Sequence, residues 1–388
     1  MNKPRKASRQ LVKSLNRELV INELKEFPKQ SRADLSKRTK LSKPAVSEIV
    51  KELIEEGLVI EIGLGPSSGG KKPILLEYNS KANYVLGVLV EDDKIFITVG
   101  DMNGELVDIT QLTFTPPTEG SMIVSLIENG VRKILNSQKI KIDKVLGMTV
   151  GISGISVDPN QKIDYSPSID WGDINLKDML SKKLDMQIII ENDVNLMTIG
   201  EYYKGSGFNI PNLVYLFIGN GIGSGIIING QFYKGSHTAA GEIGYMFIGN
   251  ESNFRQNMGI FEATYGRFGI SEMLKQEYLE FKQDDSLIQV MQAHDHNLKI
   301  KEILNEVIKE WAKAAVNIIS ILDPEMVILS GELAYMNEES FNLFKSIVEN
   351  YVPKLPDLKI TKLGSKAGLY GAVHLALNHF KQPALNIN

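Results

Sequence analysis

FIGNGIGSGIIINGQFYKGSHTAAGEIGYMFIGNESNFRQNMGIFE, residues 217–262, is the stretch around which the chain is organised. It opens as an apolar strand and breaks into Gly221-Ile222-Gly223-Ser224-Gly225. A second apolar run, Ile226 to Ile228, follows, and then a Gly-rich return to Ala239-Ala240-Gly241-Glu242. Glycines at this density supply turns with positive φ and let the backbone come close to a ligand. The two later carboxylates, Glu242 and Glu262, stand where a polyol could be gripped, because carboxylates accept hydrogen bonds from neighbouring hydroxyls.

On either side of this stretch, from Tyr84 onward, short apolar strands alternate with amphipathic helices. The strands are expected at 84–90, 94–100, 105–114, 145–151, 187–191, 213–218, 225–229 and 326–330. The helices are expected at 120–138, 175–184, 194–204, 260–274, 284–292, 299–321, 339–350 and 368–378. That alternation predicts an α/β body. The strand Gln187–Glu191 runs into Asn192 and Asp193 just before a helix. In open α/β sheets ligands bind beyond the carboxyl ends of the strands, so both residues are placed for a ligand. Asn and Asp are equally the preferred helix caps, and the segment alone does not choose between the two roles.

Ahead of the body the pattern changes. Leu11, Leu15, Leu19, Val20 and Leu24 follow a helical period that Pro28 ends. Ser31-Arg32-Ala33-Asp34 reads as a capping box opening a short second helix. Thr39-Lys40-Leu41 is a turn, and Ser42 caps a third helix that tolerates Pro44 in its first turn and stops at Gly57. Helix, tight turn and a helix beginning Ser-Lys-Pro-Ala-Val-Ser is the helix-turn-helix layout. Its first turn would present Ser42, Lys43, Pro44, Ala45 and Ser47 to base edges. The stretches Leu58–Ile62 and Ile74–Tyr78, joined by GLGPSSGGKKP, add a hairpin wing. Its tip, with Ser68, Gly69, Gly70, Lys71 and Lys72, suits phosphate contact or a minor groove. A three-helix protein-interaction domain is the competing reading. Period, caps, turn, wing and charge all agree on DNA instead.

Charge supports that division. Residues 1–80 carry 16 Lys and Arg against 10 Asp and Glu, whereas the rest carries 27 against 37. A basic head on an acidic body suggests a nucleic-acid-binding module. Lys3, Arg5, Lys6 and Arg9 would form either a phosphate-contacting arm or a solvated tail. The boundary is set at 80, giving a head of residues 1–80 and a two-lobed body of 81–388. No Cys is present, which excludes disulfides and thiolate metal sites. No apolar run reaches the roughly 18 residues of a membrane span, and no signal-peptide core follows the basic N-terminus. The expected location is the cytoplasm.

Together these pieces resemble the ROK family of repressors and sugar kinases over nearly the whole chain, with the winged helix in front marking a repressor. EIGLGPSSGGKKP, DPNQKIDYSPSIDWGDINLKDML and IIIENDVN are most like the members that repress xylose genes in Gram-positive bacteria. The resemblance implies an actin-like, two-lobed ATPase-type fold behind the winged helix. It also implies a small sugar effector, xylose favoured, a homodimer or dimer of dimers, and a pseudopalindromic operator. Asn192 and Asp193 match the family's sugar-binding Asn-Asp pair, and Glu242 matches the Glu of Ala-Gly-Glu. Glu262 matches the Glu that closes the family's zinc segment. Ser153 and Gly154 lie in a loop where the family usually has Pro at position 153. Tyr165, Trp171 and Phe261 could face a sugar ring, but core roles are the first expectation.

Two departures shape the expected function. The kinases hold ATP phosphates with Asp-x-Gly-Gly-Thr after the first strand, whereas this chain has Val90-Glu91-Asp92-Asp93-Lys94. Backbone donors cannot cradle a triphosphate there, and a base without a positioned phosphoryl donor transfers nothing. The chain is therefore expected not to be an enzyme and to need no cofactor. The family zinc site uses one His and three Cys. Here Tyr245 stands at the His position and Asn253, Arg255 and Ile260 at the Cys positions, so no metal is expected. The alternatives are a ROK sugar kinase with an accessory head, and a regulator answering another sugar or a partner protein.

Overall fold

The computed structural model describes residues 9–66, 72–154, 168–248, 258–282 and 285–380. Among the sequence-derived candidates, Ser68, Gly69, Gly70, Lys71, Tyr165, Asn253 and Arg255 lie outside the described residues, as do Lys3, Arg5 and Lys6 of the N-terminal arm.

The head contains three helices, Arg9–Glu26, Arg32–Thr39 and Lys43–Glu55. The capping box is formed in full: the Ser31 hydroxyl accepts from the Asp34 N–H, and Asp34 accepts from the Ser31 N–H. The Ser42 hydroxyl caps the third helix on the Ala45 N–H. Val20, Leu24, Leu35, Val46, Val50, Leu53 and Leu76 are fully buried between the helices and the wing strands Val59–Leu64 and Ile74–Tyr78. Burial of this kind contributes about 1.5–3 kcal/mol per large side chain. A short strand, Gln30–Ser31, adds a third member to the wing sheet. The first helix forms as its period implies, with an unusual buried face. Leu15 and Leu19 are exposed, and the buried stripe is Val20, Ile21 and Leu24 with Arg17. Arg17 takes the place of a leucine by stretching across to Glu52 and Glu56 at 3.0 and 2.5 Å.

The body holds two five-stranded sheets with the same topology. In the first, Ile188–Asn192, Val145–Ile152, Tyr84–Val90, Lys94–Asp101 and Leu106–Thr113 lie in that spatial order. In the second the order is Asp357–Ile360, Met326–Gly331, Leu213–Ile218, Ile222–Ile228 and Gln231–Phe232. Each sheet is an antiparallel meander extended by two parallel strands, so the two lobes repeat one plan. Helices Gly120–Ser137 and Leu176–Leu184 cover one face of the first sheet. The long helix Leu298–Leu322 and its neighbours cover the corresponding face of the second.

Between the sheets lie two crossed helices, Asp193–Lys204 and Ala367–His379, packed unusually closely. A Cβ on Gly371 would fall 1.8 Å from the Leu196 carbonyl, and one on Gly200 would fall 1.9 Å from that of Ala367. The first helix also presses on the second sheet, where a Cβ on Gly225 would meet the Thr198 hydroxyl at 1.8 Å. This contact corrects the reading of the glycine run as a break. Ile222–Ile228 is one continuous strand, and its glycines make room for a helix rather than a turn. Expected helix 260–274 is likewise two helices, Ile260–Tyr265 and Arg267–Gln276. Gly266 is extended between them, and the freed Arg267 N–H donates to the Gly219 carbonyl at 2.9 Å.

Candidate functional site

Asn192 and Asp193 stand where the strand Ile188–Asn192 becomes the helix Asp193–Lys204, on the side where the charge of Asp193 reaches Glu242 of the other lobe; this side is the crevice between the lobes. Asn192 fills both roles that the sequence left open. Its Oδ1 caps the helix on the Asn195 N–H at 3.1 Å, and its Nδ2 donates to the Gly154 carbonyl at 3.3 Å. One lone pair and one N–H remain for a ligand. The Asp193 carboxylate accepts from the Ser153 hydroxyl at 2.6 Å and from the Val194 N–H at 2.8 Å. Burial pushes its pKa up to about 6 against the pull of those bonds, with Asp92 adding to the rise.

Glu242 and Glu262 come from the second lobe. Gly241 sets the direction of Glu242 by adopting φ +93°, and a Cβ there would fall 1.8 Å from the Ser224 carbonyl. Only glycine fits that turn. Burial and the neighbouring Glu262 and Asp193 push Glu242 up to about 7. Glu262 sits in the first turn of Ile260–Tyr265, where its Oε2 accepts from the Ile222 N–H at 2.9 Å. Burial raises its pKa, and that hydrogen bond opposes the rise. Tyr245, on the turn Ile243–Tyr245, has its phenol raised by burial, then by Glu262 and Glu242, although the side chain is 51% exposed. Carboxyls from both lobes therefore share one electrostatic environment. Trp171 and Phe261 are core residues of the first and second lobes.

The structure adds four polar residues to this set. Glu91, in the turn after strand Tyr84–Val90, is pushed up to about 7 by burial, Asp193 and Asp92. Asp92 accepts from the Ser168 hydroxyl at 3.0 Å and from the Nδ2 of Asn220. Asn220 belongs to the glycine loop of the second lobe, so this bond ties the two lobes together across the crevice mouth. Lys234 makes a second tie, 2.6 Å from Glu191, which also holds the Asn192 N–H and the Asn195 amide. The acidic run 91–93 was visible in the sequence. Its partner Asn220 was not, being 128 residues away. Among the described residues no group of three or more His, Cys, Asp or Glu could hold a metal ion, and no helix is long and apolar enough to cross a membrane.

On the head, Ser42, Lys43, Pro44 and Ser47 are exposed and Ala45 is half-buried, so the first turn of the third helix faces solvent. Lys72, at the base of the wing, is exposed as well. The head is joined to the body at one corner. The Met102 N–H donates to the Ser80 carbonyl at 2.9 Å, and the Lys25 ammonium donates to the Met102 carbonyl at 3.1 Å while lying over the Tyr78 ring. Burial lowers the Lys25 pKa, and nearby Asp101 opposes that.

Residues 85–379 match the ROK family model, and residues 14–60 match a winged helix-turn-helix DNA-binding model. The chain is 28% identical to the xylose repressor of Bacillus subtilis over 96% of its own length and 98% of that protein's. A solved ROK family transcriptional regulator, a homologue of the E. coli Mlc protein, superposes with a TM-score of 0.75 at 17% identity, covering 94% of this chain and 96% of that one. A ROK glucokinase from Streptomyces griseus, solved with glucose and AMPPNP, superposes at 0.62 and 21% identity over 76% of this chain and all of that one. At these identities the two superpositions establish the fold.

Proposed function

The chain belongs to the ROK family, and on that premise we propose that it is a transcriptional repressor whose operator affinity is set by a sugar bound between the lobes. The observation that carries this reading is the convergence of Asp193 from one lobe with Glu242 and Glu262 from the other. All three are raised by burial in one crevice. Carboxylates with free lone pairs, beside a half-committed Asn192, suit vicinal hydroxyls. Ser153, Gly154 and Tyr245 complete the proposed sugar site. Ser42, Lys43, Pro44, Ala45 and Ser47, with the wing from Ser68 to Lys72, form the proposed DNA surface. The head is residues 1–80 and the body 81–388.

Xylose is the proposed effector, supported by the names of relatives that match this chain nearly end to end. Two copies would set the spacing of two winged helices on a pseudopalindromic operator. A sugar shifts such a repressor only if it binds the two conformations with different affinity. The Asp92–Asn220 and Glu191–Lys234 contacts are where closure would be felt, since each joins the lobes. Phosphoryl transfer is disfavoured by the same geometry. The turn that would face a triphosphate carries Glu91, Asp92 and Asp93, and Asp92 is held by Asn220.

A thermal-shift panel with D-xylose, D-glucose, N-acetylglucosamine and L-arabinose tests the reading. A ligand at about 100 times its Kd adds roughly 2.7 kcal/mol of apparent stability. Stabilisation by a sugar in the wild type and its loss in Asp193→Ala is the expected result. Equal stabilisation of both would place the sugar elsewhere.

A further inference from the structure

Beneath the turn Glu91–Asp93 lies a cavity of about 10 Å³. That is room for one water-sized group. Glu91, Asp92, Ser153 and Trp171 supply its polar lining, and Ile152 and Ile169 its apolar walls. Two of the polar groups are already committed. The Ser153 hydroxyl donates to Asp193, and Asp92 accepts from Ser168 and Asn220. Among the described residues the other two make no side-chain hydrogen bond, although the Lys94 charge acts on Glu91. The Trp171 side chain is 4% exposed, and its indole N–H has no hydrogen-bond partner. Buried polar groups are normally satisfied, so an unpartnered indole N–H on a residue that lines a cavity of this size marks a place where a polar group can be held.

We propose that the Trp171 indole N–H and the Glu91 carboxyl form a subsite for a single hydroxyl of the effector sugar, at the first-lobe end of the crevice next to Asp193. This rests on the reading of the crevice as a sugar site and deepens it. The chemistry selects the group. An indole N–H only donates, whereas the Glu91 carboxyl, raised to about 7, accepts when charged and also donates when protonated, so the occupant must be able to accept and to donate. A hydroxyl does both. An ammonium cannot accept from the indole, and a phosphate oxygen cannot donate and would stand among Glu91, Asp92 and Asp193. Burial and the neighbouring acids make a charged Glu91 costly, which a hydroxyl donor relieves. The cavity's size admits the hydroxyl but no larger substituent on that carbon, making Trp171 and Glu91 determinants of sugar choice.

The experiment is calorimetric titration of the full-length protein with D-xylose, D-glucose and their monodeoxy analogues, in the wild type and in Trp171→Phe, which keeps an aromatic ring and removes the N–H. The expected result is about tenfold weaker sugar binding in the variant, the loss typical of one buried hydrogen bond. One deoxy analogue should lose a similar factor in the wild type and nothing further in the variant, the signature of a direct contact in a double-mutant cycle. Unchanged binding by Trp171→Phe, or losses that multiply for every analogue, overturns the subsite while leaving the sugar crevice standing. A wild type that binds none of the sugars overturns both. Should Trp171→Phe fail to fold by circular dichroism, Glu91→Ala is put through the same cycle and read by the same criteria.

Discussion

Glu242→Gln should make the sugar-free protein more stable at pH 8 and leave it nearly unchanged at pH 4. Glu242 moves from an ordinary 4.5 to about 7 on folding, driven by burial and by Glu262 and Asp193. A carboxyl whose folded pKa is raised binds more protons folded than unfolded between those two values, so stability falls as pH rises through that window. The penalty is absent below about 4.5 and complete above about 7. At 1.36 kcal/mol per unit the shift corresponds to at most about 3.4 kcal/mol. Solvent access at the crevice mouth and coupling to two other acids reduce this to about 1–2 kcal/mol. Glutamine preserves the shape and removes the charge. Urea denaturation of wild type and variant at pH 4 and pH 8 reads the difference directly. The variant should gain about 1–2 kcal/mol at pH 8 only and lose its sugar response. An equal gain at both pH values, or none at pH 8, would refute the claim that Glu242 is held as a strained, buried acid in the resting crevice.

Other perturbations separate the parts of the molecule. Gly371→Ala drives a Cβ into the Leu196 carbonyl and should cost about 3 kcal/mol or more, seen as a lowered midpoint for the body. Lys43→Ala should weaken DNA binding and lower the slope of log K against log salt by about one, and an unchanged slope would remove the phosphate role proposed for Lys43. Lys25→Met keeps an apolar stem on Tyr78 and removes the bond to the Met102 carbonyl; it should leave sugar affinity intact and reduce the sugar's effect on DNA affinity. An undiminished effect, measured by anisotropy, would remove that corner from the path between crevice and head.

The head was legible because its signals are local. The Ser31–Asp34 capping box, the Ser42 cap and the Val46–Leu53 stripe each need only a few neighbouring residues, and all formed as read. The first helix formed as its period implied, but periodicity cannot tell which face is buried: Leu15 and Leu19 face solvent and Arg17 supplies part of the interior. Glycine was the main source of error in the body. Gly223 and Gly225 looked like turn residues, but they serve a helix 25 or more residues away in the chain. Gly266 broke a helix that hydrophobic spacing had run straight through. In the crevice, Asn192, Asp193, Glu242 and Glu262 were visible from motif and spacing. Glu91 was visible only as part of an acidic run, and Asn220 not at all, since their places in the site come from charges and donors brought together by tertiary structure. The identical strand order of the two lobes was also beyond the sequence, which carries no readable internal repeat.

The most direct test of the account is fluorescence anisotropy on a labelled duplex selected by the full-length protein from a random library, titrated with and without 10 mM D-xylose. The account predicts saturable binding whose Kd changes at least tenfold with a sugar that stabilises the protein, and no such change in Asp193→Ala. A duplex bound equally well with and without every sugar that occupies the crevice would contradict it.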